Sequence, residues 1–331
     1  MTRKIRYGIL GTSQHARAKL VPGLRKTTNS ELSAIASRDG EKARRWAEEL
    51  EIPRAHASYE ALIADEAVDA IINPTPNSLH CEWTIKAAEA GKHILCEKPL
   101  AVSVSEVDRM IRAASHNGVL LMEAFKLRFL PQQARVRDWI TSGRIGEVTQ
   151  VRAELTHSVG NWEQDVRAEP EMGGGALWDA GCYCVNQIRN VFAAEPVGVS
   201  AFQRLHPEAG VDSTFCGMLQ FDGDRVGYFV TGMEQPFRAC CEILGTTGRI
   251  YMPNLFAGQR LHLFSEEKES TDEFDAIDPH AAEIEHFSEC ILSGAQPAIS
   301  MVDSWRNTAT LEALKKSAET RAVVVPAVRG E

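Results

Sequence analysis

Short apolar runs alternate with amphipathic segments along the first part of the chain. The apolar runs are residues 5–10, 32–36, 68–72, 93–96 and 119–122, and helical periodicity marks residues 16–24, 40–50, 78–90 and 103–116. Strands that alternate with helices predict a parallel, doubly wound sheet with helices on both faces, an α/β Rossmann-type domain. In such sheets ligands bind beyond the carboxyl ends of the strands.

After residue 146 the periodicity changes to alternation of polar and apolar residues. This alternation is clear in residues 149–155 and in much of 197–232, whereas 281–292 and 303–319 have helical spacing. The pattern predicts an α+β domain built on a large, mostly antiparallel sheet. We therefore divide the chain into a dinucleotide-binding domain, residues 1–123, and a domain for substrate binding and oligomerisation, residues 124–331.

Composition and charge limit the partners and the kinds of site that the chain can have. The chain has 331 residues with 36 Lys and Arg against 45 Asp and Glu, a net charge of −9 that disfavours nucleic acid or an anionic membrane as partner. The eight cysteines are scattered without metal-ligand spacing, which favours reduced, buried thiols and no metal site. There is neither a signal-peptide pattern nor an apolar run long enough to span a bilayer, so we expect a soluble cytoplasmic protein.

The loop after the first strand is a degenerate dinucleotide-binding fingerprint. In the sequence Gly-Thr-Ser-Gln-His-Ala at 11–16, Gly11 permits the tight turn and Ser13 replaces the second glycine of the usual GxGxxG/A pattern. After the first strand of an alternating series, this turn predicts a dinucleotide site. The residues expected to contact the cofactor here are Gly11, Thr12, Ser13, Gln14 and His15.

The end of the second strand indicates which dinucleotide binds. An NAD enzyme usually has an acidic residue there for the ribose hydroxyls, whereas this chain has Ser37 and Arg38. Arg38 can pair with a 2′-phosphate, and Ser37 can donate a further hydrogen bond. The sequence predicts NADP, and Asp39, one residue later, keeps NAD as the alternative.

A glycine-rich segment opens the helical stretch that carries the candidate chemistry. Gly173–Gly175 precede a segment in which Asp179 and Tyr183 stand at i and i+4, one above the other on a helix face. A phenol has a pKa of about 10, which a neighbouring ammonium such as that of Lys98 lowers by about 1–3 units. We interpret Tyr183 as the proton donor and acceptor, Lys98 as its electrostatic partner and Asp179 as a ligand for a substrate hydroxyl. The sequence leaves open whether Lys98 or Tyr183 is the proximal acid. It also leaves open purely structural roles, in which Tyr183 is a core residue, Asp179 caps the helix and Lys98 lies in a surface turn.

Four motifs in order resemble the Gfo/Idh/MocA family of oxidoreductases. They are the loop at 73–80, the segment at 91–100 with Glu97-Lys98-Pro99, the turn at 145–148 and the stretch at 173–183. The resemblance implies a nicotinamide cofactor in the first domain and a substrate against the second. It also implies that Lys98, Asp179 and residue 183 surround the reacting carbon and that the Lys98–Pro99 bond is cis. The further cofactor contacts expected in these loops are Pro74, Thr75, Asn77, His80, Glu97 and Lys98.

Position 183 separates branches of that family. Inositol dehydrogenase-like members have histidine there, so Tyr183 resembles the branch of dihydrodiol dehydrogenase, glucose–fructose oxidoreductase, aldose dehydrogenases and nucleotide-sugar ketoreductases. His280 stands where relatives often carry tyrosine. The family also implies pairing of subunits, and we expect a homodimer or homotetramer.

The function predicted from the sequence is NADP-dependent oxidation or reduction of a sugar or related polyol. A non-catalytic dinucleotide-binding regulator and a glycosidase that uses the nicotinamide transiently are the alternatives. Trp162 and Arg167 are weaker candidates for substrate contact in an irregular stretch before the glycines, and His157 is read as a strand histidine rather than a catalyst.

Overall fold

The computed structural model describes residues 3–265 and 269–329. The chain forms two compact units, and each has its own sheet. The first unit contains Met1–Lys126 and Asp278–Ser304, and the second contains Leu127–Ile277 and Trp305–Glu331.

The first unit is built on a six-stranded parallel sheet in the order β3-β2-β1-β4-β5-β6. Its strands are β1 (Ile5–Leu10), β2 (Ser30–Ala36), β3 (Arg54–His56), β4 (Ala70–Asn73), β5 (His93–Glu97) and β6 (Leu121–Ala124). Its first five helices are α1 (Val21–Arg25), α2 (Gly40–Glu49), α3 (Tyr59–Ile63), α4 (His80–Glu89) and α5 (Val104–His116). Strands β1 and β4 are buried at almost every position, as a parallel sheet covered on both faces requires. The predicted doubly wound domain is confirmed.

Helix α5 shows how the sequence fixes one of these elements. Ser103 accepts a hydrogen bond from the backbone N–H of Glu106, and the Glu106 carboxylate accepts one from the N–H of Val102. This reciprocal cap satisfies N–H groups at the start of the helix. Val107, Met110 and Ala114 then follow at helical spacing and form the buried face.

A late helix, α8 (Pro279–Ser293), belongs to the first unit. The Ser288 hydroxyl lies 2.7 Å from both the Tyr7 and the Ser30 hydroxyls. Gly23 allows the close approach, since a Cβ there would lie 2.9 Å from that of His280. The sequence-based division placed all residues after 123 in the second domain, whereas this helix packs on the first.

The second unit contains an eight-stranded sheet in the order β14-β13-β12-β11-β7-β10-β9-β8. Its strands are β7 (Val148–Ser158), β8 (Gly198–Leu205), β9 (Asp212–Gln220), β10 (Val226–Gly232), β11 (Glu234–Gly245), β12 (Gly248–Met252), β13 (Arg260–Ser265) and β14 (Glu269–Glu273). Strands β7 and β10 pair in parallel and the other neighbours are antiparallel. The unit's helices are α6 (Pro131–Thr141), α7 (Cys182–Phe192) and α9 (Met301–Thr320), of which the residues from Trp305 onward belong here. The predicted α+β domain with a mostly antiparallel sheet is confirmed.

The two faces of this sheet differ in character. One face is covered: α7 packs on β7 and β10, over buried side chains such as Phe215, Phe229 and Ile243. On the other face the alternate residues of β8, β9 and β10 are exposed, among them Phe202, with 73% of its surface accessible, and Met218, with 54%. In the part of the chain that the structure describes, no helix is long and apolar enough to cross a membrane.

Candidate active site

The glycine loop has the backbone that a dinucleotide turn requires. Gly11 has φ +95°, a conformation that favours glycine, and its N–H donates to the carbonyl of Ala36 at 2.9 Å. The hydroxyl of Ser13 accepts a hydrogen bond from the N–H of Ala16 at 3.1 Å. Ser13 therefore holds the turn into the following helical segment. The residues present fit a dinucleotide, because Gly11, with its positive φ, makes the tight turn that the dinucleotide fingerprint places directly after the first strand.

The end of β2 carries a small group of hydroxyls. Thr12 Oγ1 lies 3.5 Å from Ser37 Oγ, and Ser37 Oγ accepts from the N–H of Asp39 at 3.2 Å. The Asp39 carboxylate itself accepts from the N–H of Lys42 at 3.1 Å and caps α2. The Asp39 carboxylate is therefore used to cap α2, whereas the neighbouring Arg38 has no part in that cap.

The loop after β4 is held in place by a buried imidazole. His80, 1% exposed, has Nε2 2.8 Å from the carbonyl oxygen of Thr75 and Nδ1 2.9 Å from that of Pro99. Asn73 is fully buried and accepts from the Thr75 hydroxyl at 2.8 Å. Burial lowers the pKa of His80. Both ring nitrogens thus face backbone, and His80 ties the 73–80 loop to the loop after β5.

The end of β5 holds a buried carboxylate that pairs with a partly exposed histidine. Glu97 Oε1 accepts from His15 Nε2 at 3.0 Å, which links the strand end to the glycine loop. Burial alone would raise the pKa of Glu97, but His15, Lys126 and Lys98 together hold it well below its ordinary value. The following Lys98–Pro99 bond is cis, as the family resemblance implied.

Beyond that bond the loop is anchored by a second buried carboxylate. The N–H of Leu100 donates to Glu123 Oε1 at 2.8 Å, and Glu123 is 1% exposed. Lys98 therefore stands in a loop whose two sides are both fixed.

In the second unit, the segment predicted as a regular helix begins with a π-helical turn. The turn spans Leu177–Gly181 and α7 follows it directly, starting at Cys182. Such turns are rare and concentrate at functional sites. Asp179 lies within the turn and Tyr183 on the first turn of α7, so the i and i+4 relation inferred from the sequence crosses a change of helix type.

Asp179 is the centre of a charged cluster. Its Oδ2 lies 2.8 Å from His157 Nε2 and 3.1 Å from Arg167 Nε. The Arg167 contact is an ion pair without hydrogen-bond geometry, because its Nε has no acceptor in hydrogen-bond alignment. Nη1 of Arg167 also donates to both oxygens of Asp165, at 3.1 and 3.2 Å. Asp179, and after it Asp165, raises the pKa of Arg167 above its ordinary value despite burial.

This cluster brings together Arg167, a candidate for substrate contact, and His157, which the sequence indicates to be a strand residue without a catalytic role. Arg167 contacts Asp179 directly, and His157, read from the sequence as a strand histidine, does so as well. The alternation along β7 could have identified His157, because its side chain lies on the same face of the strand as Val151, Ala153 and Leu155.

Tyr183 is a buried residue of the same unit. Its side chain is 3% exposed, and its ring meets that of Phe256 edge to face with centroids 5.1 Å apart. This contact fixes the plane of the phenol ring. Trp162, the other weak candidate, stacks on His206 at 4.2 Å and packs on a small cluster of Val159, Ala176, Val211 and Met233. Trp162 thus anchors the irregular stretch before the glycines.

A carboxylate that sequence reasoning missed holds the start of the π-helical turn. Asp212 Oδ2 accepts from the N–H of Leu177 at 2.7 Å. At Gly175, which has φ +108°, a Cβ would overlap Asp212 Oδ1, so this glycine makes room for the carboxylate. Burial raises the pKa of Asp212 to about 7, against the hydrogen bonds that favour its ionised form.

Two family models match the chain. The oxidoreductase family with NAD-binding Rossmann fold, GFO/IDH/MocA, matches residues 5–125, and the GFO/IDH/MocA C-terminal domain matches residues 133–251. The chain belongs to the Gfo/Idh/MocA family. The first unit therefore carries the nicotinamide dinucleotide site of an oxidoreductase, and the predicted cofactor class is confirmed.

Named relatives span almost the whole chain. D-xylose 1-dehydrogenase (NADP(+)) 2 of Haloferax volcanii is 33% identical over 323 residues, which cover 96% of this chain and 98% of the relative. The crystal structure of a 3-ketoreductase of Actinomadura kijaniata, in complex with NADP and TDP-benzene, superposes with a TM-score of 0.89 at 30% identity and covers 95% of this chain and 98% of that one. The aldose-aldose oxidoreductase of Caulobacter crescentus, complexed with glycerol, superposes with a TM-score of 0.91 at 27% identity and covers 98% and 100%.

Proposed function

We propose that this oxidoreductase uses NADP to transfer a hydride to or from the carbinol or carbonyl carbon of a sugar or related polyol. The observation that carries the proposal is the 177–183 segment, where an ion-paired carboxylate and a buried phenol stand one helical turn apart. Hydride transfer at a carbinol carbon requires proton transfer at its oxygen, and a phenol can supply that step.

The candidate residues have distinct roles in this mechanism. Bound nicotinamide supplies the hydride donor or acceptor. Tyr183 gives a proton to the substrate oxygen or takes one from it, and the Lys98 ammonium favours the phenolate and orients that oxygen. Asp179 accepts a hydrogen bond from a substrate hydroxyl and helps to position Lys98. His157 and Arg167 contact Asp179 Oδ2 and fix it in place.

The charged cluster supports a hydroxyl-rich substrate. A carboxylate accepts hydrogen bonds from vicinal hydroxyls and a guanidinium donates to them, whereas an apolar substrate offers neither contact. The relatives named for D-xylose and for aldoses agree with this class.

The end of β2 supports NADP rather than NAD. Asp39 is occupied in capping α2, and Arg38 with Ser37 offers the cation and the hydroxyl that a 2′-phosphate needs. Two of the similar proteins are named with NADP.

Arg38→Ala should weaken NADP binding far more than NAD binding. Only NADP carries the 2′-phosphate, and a hydrogen bond to a charged group contributes about 1.5–3 kcal/mol. Titration calorimetry with both dinucleotides measures the difference. Arg44→Ala is the matched control, since Arg44 is an exposed arginine of α2 that pairs with Glu41. Equal losses for both dinucleotides would rule out the NADP assignment.

We also propose that the open face of the second sheet pairs subunits. Phe202, Cys216 and Val230 are exposed and stand side by side across β8, β9 and β10, which forms a continuous apolar row. Apolar rows of this kind on a sheet face typically mark an interface. Light scattering at micromolar concentration should give the mass of a dimer or tetramer, and Phe202→Glu should shift it towards the monomer. A monomeric wild type would contradict the proposal.

A further inference from the structure

Two of the buried polar atoms without a hydrogen-bond partner lie close together at the start of α8 in the first unit. They are His280 Nε2 and Glu283 Oε2, and their side chains are 5% and 1% exposed. The two residues stand at i and i+3 near the start of α8, so they share one face of the helix. Buried polar groups are normally satisfied, and an unpaired one costs about 1–3 kcal/mol. These atoms are therefore candidate contacts for a polar group that is not part of the protein.

The surroundings of the pair belong to the dinucleotide site. The His280 ring lies 5.5 Å from that of His15, which pairs with Glu97 at the end of β5. The charges that act on both His280 and Glu283 are those of Glu97, Lys126 and Asp278. The pair therefore lies beside the glycine loop and the β5 end, which are two cofactor-binding elements of the fold.

The protonation of the two residues defines the partner's chemistry. His280 Nδ1 lies 3.6 Å from Asp278 Oδ1, beyond hydrogen-bond distance, and the negative charge of that carboxylate favours the ring tautomer with the proton on Nδ1 and a lone pair on Nε2. Burial lowers the pKa of His280 to about 4, so the ring is neutral at physiological pH. Burial, and after it the nearby Glu97, raises the pKa of Glu283 well above its usual value against the opposing charge of Lys126, which favours the protonated carboxyl group.

The site thus offers one acceptor, the His280 nitrogen, and one donor, the Glu283 hydroxyl. A phosphate supplies acceptors only and does not match the imidazole lone pair. A primary amide matches both, because its NH₂ donates and its carbonyl accepts.

The order of the strands indicates which end of the dinucleotide lies next to His280 and Glu283. Strand β2, with Ser37 and Arg38, lies on one side of β1, whereas β4 and β5 lie on the other. The adenosine end belongs with Arg38 in the proposed function, so the nicotinamide end belongs on the side of Glu97. We propose that His280 and Glu283 bind the carboxamide of the nicotinamide, with Nε2 accepting from its NH₂ and the Glu283 carboxyl donating to its carbonyl. This proposal rests on the proposed function, since it takes a nicotinamide dinucleotide as the ligand.

The test compares NADP⁺ with its 3-acetylpyridine analogue, in which a methyl group replaces the NH₂ and the carbonyl is kept. Dissociation constants come from titration calorimetry without substrate, so turnover plays no part. His280→Phe should weaken NADP⁺ binding about tenfold and leave the analogue unchanged, since only NADP⁺ loses a hydrogen bond. Glu283→Met should weaken both ligands by a similar factor, because both have the carbonyl.

Glu285→Gln is the matched control on the same helix. Glu285 accepts from the N–H of Thr28, outside this cluster, so this variant should bind both ligands as the wild type does. Thermal unfolding of each variant verifies folding. If His280→Phe fails to fold, the carboxamide site is tested by Glu283→Met alone, in which the affinities for NADP⁺ and for the analogue should fall by a similar factor. An unchanged ratio of the two dissociation constants in His280→Phe, or no loss in Glu283→Met, overturns the carboxamide site alone. A wild type that binds neither ligand overturns the proposed function and this site with it.

Discussion

Tyr183→Phe will lower turnover by at least about 10²-fold while the fold and dinucleotide binding are kept, since general acid–base catalysis contributes on that scale. The substitution removes a hydroxyl and leaves the ring, so the edge-to-face contact with Phe256 is retained. Lys98→Met should also lower turnover strongly. The double variant should be far less impaired than the product of the single effects, because groups that act as a unit are non-additive.

The control for this experiment is Tyr228→Phe, since Tyr228 lies on β10 and stacks with Arg152 in the second sheet. Steady-state kinetics across pH, with dinucleotide affinity measured separately, distinguishes chemistry from binding. Near-normal turnover of Tyr183→Phe at every pH would make Tyr183 a core or binding residue and leave Lys98 as the acid.

Asp212→Asn will remove a large pH dependence of stability. The pKa of this carboxyl is about 7 in the folded protein against an ordinary value of 3.8. Between these values the folded state holds a proton that the unfolded state has released. The stability that this group contributes is therefore complete below the lower pKa and is lost as pH rises through the upper one. At about 1.4 kcal/mol per unit, the wild type loses on the order of 4 kcal/mol across this window.

Asparagine is uncharged throughout that window and still offers an oxygen to the N–H of Leu177, so the variant should not show the loss. Denaturant unfolding of both proteins at about pH 5 and about pH 8 measures the difference, in which the contributions of other groups cancel. Equal changes in the two proteins would show that Asp212 titrates normally.

The first unit was predictable because its signals are local. Each strand end of a parallel sheet lies on the same edge, so the loops that follow β1, β2, β4 and β5 could be assigned to one site from periodicity alone. The glycine turn at Gly11 and the residues Ser37 and Arg38 stand where this rule places them. The short elements β3 and α3 escaped prediction, because three and five residues give little periodicity.

The contacts of the candidate site in the second unit were less predictable because they are non-local. Asp212 caps a helical turn that begins 35 residues earlier, and His157 reaches Asp179 across 22 residues. No spacing rule connects such positions. Helix α8 presents the same difficulty, since its amphipathic pattern predicts a helix but does not say which unit its buried face meets.

The most direct test of the proposed activity is the absorbance of the reduced nicotinamide during incubation with substrates. The purified chain is given NADP⁺ with a panel of aldoses and polyols, and NADPH with keto-sugars, beside Tyr183→Phe as the matched inactive variant. We expect a net change in absorbance with at least one sugar or polyol, faster with NADP(H) than with NAD(H) and lost in the variant. Binding of the dinucleotide without any net redox change across the panel, or cleavage of a glycoside without such a change, would contradict it.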